Sequence, residues 1–192
     1  MLSGAGEGIE QPWGRVELVP LRAEHAPAVL AFERANRAYF AASITDRGDA
    51  FFAHYADRHR ALLDEQRAGI SAFHLVLAED GSVLGRFNLM DLVDGTATLG
   101  YRVARRAAGR GLATATVREL CRLAPGRYGL TTLRAAVAEG NAASRRVLAK
   151  AGFVLLGPAD PAEIGGETGS WYVCDLMAEA ADTVGAVGRD EN

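Results

Sequence analysis

The stretch Val103-Ala104-Arg105-Arg106-Ala107-Ala108-Gly109-Arg110-Gly111-Leu112-Ala113 decides the fold. A strand-like run at 96–103 feeds a turn rich in Arg, Ala and Gly, and a helical pattern starts near Gly111. The first turn of a helix has amide N–H groups without carbonyl partners and a partial positive charge, which suits a phosphate or pyrophosphate. Glycines at 109 and 111 let an anion approach the backbone where a Cβ would obstruct it. Arg102, Arg105, Arg106 and Arg110 add positive potential around that seat. An isolated glycine pair is more often a plain turn, so the surrounding elements carry the argument.

Upstream, 72–78, 83–90 and 96–103 read as three strands. They are joined at Glu79-Asp80-Gly81-Ser82 and at Asp94-Gly95, hairpin signals that make an antiparallel meander. Before them come a strand at 15–21 and two amphipathic helices at 23–40 and 49–66. Downstream follow a helix at 111–124, a strand at 130–137, a helix at 142–151 closed by Gly152, and strands at 153–156 and 170–177. The order β-α-α-β-β-β-α-β-α-β-β predicts one α/β (α+β) domain over 15–177, a mixed, mostly antiparallel sheet flanked by helices. The Gly-rich 1–14 and the segment 180–192 are expected to be flexible tails.

A chain of 192 residues with 49% apolar and 23% charged residues suits one well-buried globular domain. A net charge of -3 argues against a dedicated nucleic-acid binder. Cys121 and Cys174 fall at apolar positions and read as core residues, and no His/Cys cluster suggests a metal. The N-terminus lacks a signal-peptide pattern, and no run approaches the ~20 apolar residues of a membrane span. The cytoplasm is the expected compartment, with no membrane partner.

In order and spacing, these residues resemble the GCN5-related N-acetyltransferase (GNAT) superfamily. The family segment runs strand-Val-x-Pro-x-x-Gln/Arg-Gly-x-Gly-x-Gly/Ala into a helix, and Val103 to Ala113 follows it. A second family element, a strand, Asn-x-x-Ser/Ala and a short helix ending in Gly-Phe, is matched by Val137, Asn141-Ala142-Ala143-Ser144 and Gly152-Phe153. Counted from the strand end, the family's Gln/Arg position falls at Ala108, a departure that backbone recognition tolerates. The resemblance implies acetyl-CoA as cosubstrate. Val103 and Arg105, flanking Ala104, would offer backbone groups to the pantetheine. Ala108, Gly109, Arg110, Gly111, Leu112, Ala113 and Thr114 would surround the pyrophosphate. Asn141 would bond the pantetheine and Ser144 would sit near the sulfur.

Direct acyl transfer needs a neutral amine, a polarised thioester carbonyl and a proton for the leaving thiolate. The family's usual tyrosine acid is replaced here by Leu148. The branch acting on ribosomal-protein N-termini (RimJ/RimL-like) places a serine in Asn-x-x-Ser, so Ser144 is the candidate thiolate donor. The plain alternative is a first-turn serine that satisfies backbone. Asp91 and Tyr101 are base candidates, His54, His59 and His74 are further titratable groups, and a water chain without a single base is an alternative. Asn36, Tyr39 and Trp171 are candidate wall residues for the substrate, drawn from 36–60 and 157–171.

The resemblance makes a protein or peptide N-terminal α-amine the leading acceptor. A small amine (amino acid, polyamine or antibiotic) is the alternative, and a non-catalytic acyl-CoA sensor is a third reading. A nucleotide site is disfavoured because no Lys-Ser/Thr pair closes the glycine loop. Homodimers are common in the resembling branch, and the sequence alone does not show one.

Overall fold

In a computed structural model, which describes residues 7–11, 14–42, 44 and 46–178, the chain opens with β1 (Glu7–Gln11) and β2 (Gly14–Pro20). Four helices follow: α1 (Ala26–Ala35), α2 (Arg37–Ala41), α3 (Asp49–Ala53) and α4 (Tyr55–Arg67). The meander is β3 (Ala72–Ala78), β4 (Val83–Val93) and β5 (Thr96–Val103). Then come α5 (Leu112–Tyr128), β6 (Thr132–Ala138), α6 (Ala142–Lys150), β7 (Val154–Ala159) and β8 (Gly169–Asp175).

Apolar residues at alternate positions place side chains on both faces of the strands. On β3, Leu75 joins a core with Val29, Phe32, Phe40 and Phe51 of α1–α3, while Val76 joins one with Val117, Leu120 and Leu148 of α5 and α6. The sheet therefore has helices on both faces, as α/β patterning predicts. Cys121 and Cys174 are buried in the second core. Burying each of Val117, Leu120 and Leu148 stabilises the fold by about 1.5–3 kcal/mol.

The strand order is β1-β2-β3-β4-β5-β6-β8-β7. Every neighbouring pair is antiparallel except β5 and β6. Those two pair only from Thr96 to Thr98 against Thr132 to Arg134, and beyond that they splay apart. The mixed, mostly antiparallel sheet matches the expectation.

Several boundaries differ from the sequence reading. Glu7–Gln11 is a strand paired with β2, not part of a loose arm, because β2 offers it an open edge. The rest of the two expected tails, 1–6, 12–13 and 180–192, lies outside the described residues. The helix expected at 23–40 breaks at Asn36, whose φ/ψ of -109°/6° is not helical. The helix expected at 49–66 breaks at His54. Helix α5 continues through Pro125 to Tyr128 and ends at Gly129 in the left-handed region. Among the described residues, no helix is long and apolar enough to cross a membrane.

Candidate active site

The site grows from the splay. Once β5 and β6 separate, Leu99 to Val103 and Ala135 to Ala138 face a gap, and their backbones lose each other as partners. Strand β5 runs on to Val103, a 3-10 turn forms at Arg105–Ala107, and Ala108 is extended. Gly109 and Gly111 then take φ of +73° and +85°, the left-handed region where a Cβ is strained. A Cβ built at either glycine meets nothing within 4 Å. Conformation thus requires the glycines, and the space in front of them is open for a ligand.

The first intrahelical bond of α5 runs from Ala115 N to Gly111 O at 3.0 Å. The amides of Leu112, Ala113 and Thr114 precede it, so they lie at the positive end of the helix dipole without intrahelical acceptors. A groove of about 440 Å³ opens in front of them. Its walls include Val103, Ala108, Gly109, Gly111, Leu112, Ala113, Thr114, Asn141 and Ser144. This brings together nine of the residues expected to bind the cofactor.

Three others fall elsewhere. Ala104 is buried, donates to the Leu84 carbonyl (2.8 Å) and accepts from Ala107 (2.9 Å). Arg105 donates its N–H to Asn36 Oδ1 (2.9 Å) and accepts from the Ala108 N–H (3.3 Å). Both N–H groups are thus spent inside the protein, so of the backbone groups expected to meet a pantetheine at Arg105 only the carbonyl keeps a lone pair. Arg110 faces a separate hollow of about 850 Å³ against α1, which shares Ala108 with the groove. The positive charge actually lining the groove comes from Arg102, Arg146 and Lys150. The last two were missed, and their signal was the four-residue spacing on α6.

Helix α6 starts where Asn141 Oδ1 accepts the Ser144 N–H at 3.0 Å, an N-cap. That oxygen keeps one lone pair, and the Asn141 amide nitrogen offers the N–H donors for a ligand. Leu148 is fully buried in the core and has no access to the groove. The cap also points Ser144 at β5, where its hydroxyl lies 2.8 Å from the Tyr101 hydroxyl. The Tyr101 ring stacks on Phe87 at 5.4 Å and 13°. Burial pushes the Tyr101 phenol up to about 12, against a smaller lowering by the Ser144 hydrogen bond.

A second cavity of about 380 Å³ meets the groove from the other side of the splay. It shares Ile44, Tyr101, Asn141 and Ser144 with the groove and adds Leu99, Val137, Glu163 and Glu167. The two hydroxyls thus stand where two molecules entering from opposite sides would meet.

Asp91 is not brought here. It is an exposed residue at φ +55° in the bulge between Met90 and Val93. It lies four residues beyond Phe87, the register partner of Tyr101, or roughly 13 Å along the strand. Asn36 lines the hollow against α1 and neither the groove nor the second cavity, and its carboxamide is bonded to Phe32 O (2.8 Å) and Arg105 N. Tyr39 does line the groove. The Trp171 indole donates to Glu163 Oε2 at 2.9 Å, so it braces a wall residue of the second cavity. His59 donates from Nε2 to the Arg22 carbonyl (2.9 Å) and accepts from Tyr55 (3.3 Å), a structural role. His54 is exposed, and neither His54 nor His74 lines the groove or the second cavity. Among the described residues no group of three or more His, Cys, Asp or Glu could hold a metal.

Residues 15–154 match the family model described as Acetyltransferase (GNAT) domain. "Probable N-acetyltransferase YjcK" of Bacillus subtilis (strain 168) is 29% identical over 140 residues, covering 70% of this chain and 77% of that protein. The ribosomal-protein-S5-alanine acetyltransferase of Vibrio fischeri superposes with a TM-score of 0.81 at 19% identity, over 90% of this chain and 97% of that one. RimJ of Mycobacterium smegmatis, in complex with CoA-disulfide, gives 0.80 at 23% identity, over 96% and 94%. At these identities the structural likeness is one of fold.

Proposed function

We propose, from the premise that this chain belongs to the acetyltransferase (GNAT) family, that it acetylates the N-terminal α-amine of a protein or peptide by direct transfer from acetyl-CoA. The observation that carries this reading is the Tyr101–Ser144 hydroxyl pair at the junction of the two cavities. Open space at Gly109 and Gly111, the free first-turn amides of α5 and the cations Arg146 and Lys150 suit the phosphates of coenzyme A. Acetyl-CoA supplies the acyl group already activated as a thioester.

The chain's own residues then hold and direct a proton. A phenol pushed up to about 12 stays neutral through the physiological range, so Tyr101 is a donor and not a base. Its proton is directed to Ser144 Oγ, which leaves the Ser144 hydroxyl hydrogen to point into the groove at the leaving sulfur. Asp91 is too far away to take the amine's proton, which therefore goes to water in the second cavity, where the carboxylates of Glu163 and Glu167 can receive it. The resemblance in fold to proteins named for ribosomal-protein acetylation supports an α-amine acceptor. We also place the reaction in the cytoplasm.

The test is to follow free thiol while the protein meets acetyl-CoA with peptides or with small amines. Faster release with peptides is expected. Release with small amines alone overturns the acceptor, and tight coenzyme A binding without release favours a non-catalytic sensor.

A further inference from the structure

Past Thr98, β5 has lost β6 as a neighbour, and β4 is its partner in the sheet up to Val103. A strand held on one side is poorly fixed in the stretch where the groove is built on it. Helix α1 supplies the missing restraint. Glu33, 2% exposed, holds Arg86 of β4 at 2.6 Å and Arg102 of β5 at 3.3 Å. Arg86 and Arg102 are register partners, so one carboxylate clasps both strands on the face opposite Tyr101. One turn later Asn36 accepts the Arg105 N–H at 2.9 Å. The segment 102–105 is thus tied at one end to α1 and at the other to the residue that ends that helix.

Arg102 also reaches forward. Its guanidinium lies 5.3 Å from the centre of the Phe40 ring, and both side chains line the groove. The clasp therefore joins the α2 wall to the strand. Burying one carboxylate against two guanidinium groups costs more in desolvation than an apolar trio of the same volume would. Stability alone does not account for keeping it there.

We infer that Glu33 is a positioning residue that fixes the end of β5, from Tyr101 to Val103, in the place where the strand receives the pantetheine of coenzyme A. This rests on the acetyl-CoA reading above. Glu33 touches neither the groove nor the reacting atoms, so its effect falls on affinity more than on the chemical step.

The experiment titrates coenzyme A into the wild type, Glu33→Gln and the double variant Glu33→Leu/Arg86→Met, with thermal midpoints measured in parallel. The double variant leaves no buried guanidinium facing an absent carboxylate, because Arg102 is 21% exposed and can turn to water. It is expected to keep the wild-type midpoint and yet bind coenzyme A about tenfold more weakly, a usual size for coupling between two sites. Its KM for acetyl-CoA should rise with the Kd, while kcat at saturation stays within about threefold of wild type. A folded double variant that binds coenzyme A as the wild type does overturns the inference. So does an affinity loss in the double variant that is matched by Leu120→Ala, a core truncation that lowers the midpoint without touching the clasp. A wild type that binds no coenzyme A overturns the acetyl-CoA reading itself, and the inference with it.

Discussion

The hydroxyl oxygens of Tyr101 and Ser144 lie 2.8 Å apart, bridging the strand that builds the groove and the helix capped by Asn141. If the two pass one proton, their loss should not add. Ser144→Ala is expected to lower kcat by about 100-fold, the low end of the range for a positioned proton donor, and Tyr101→Phe by about tenfold, below that range because it acts through Ser144. The double variant should resemble Ser144→Ala. Steady-state kinetics with a coenzyme A titration checks this, and the Kd should move less than about twofold.

The phenol also sets an expectation for alkaline pH. Burial raises Tyr101 from its ordinary 10.0 to about 12, so the folded protein holds a proton that the unfolded chain gives up between those values. The stability it contributes is whole below pH 10.0 and is lost as pH rises to about 12. Thermal midpoints should fall across that window, and less steeply in Tyr101→Phe. The rate should climb as the amine deprotonates, without a downturn from Tyr101 in the neutral range.

At acid pH the relevant group is His74. Its Nε2 lies 2.6 Å from the Tyr128 hydroxyl. Burial, with a smaller push from the Arg127 charge and against a backbone hydrogen bond with Phe87, takes it from 6.5 down to about 4. Between those values the unfolded chain binds a proton that the fold refuses, so stability is whole above pH 6.5 and declines toward pH 4. His74→Gln should flatten that decline in a series of thermal midpoints.

Two glycines of the α5 region should respond in opposite senses to alanine. Gly111 has φ +85° with open space around a built Cβ, so Gly111→Ala should cost about 1–2 kcal/mol through backbone strain. It should also weaken coenzyme A binding by shifting the first-turn amides. Gly126 lies inside the same helix with equally open space and no positive φ, so Gly126→Ala should stabilise by up to about 1 kcal/mol. Denaturant unfolding with a coenzyme A titration separates the two.

How far the sequence alone could carry the structure depends on the range of the forces involved. Strands β3 and β5 were readable to the residue because alternation and Asp-Gly turns are local signals. The break at Asn36 was not, since it depends on a carboxamide that finds Arg105, 69 positions away. The glycine loop was legible through positive-φ chemistry and helix-end amides. The placing of Ser144 against Tyr101, 43 residues apart, needed the crossover from β5 through α5 and β6 into α6. Asp91 was misplaced because a bulge after Met90 ends the alternation on which that expectation rested.

The most direct test of acetyl transfer to an α-amine uses one peptide that carries both a free N-terminus and a lysine. After incubation with acetyl-CoA, tandem mass spectrometry locates the added acetyl group. The α-amine should be acetylated far faster than the lysine, and blocking the N-terminus should abolish coenzyme A release. Acetylation confined to the lysine, or release unaffected by the block, would contradict the account.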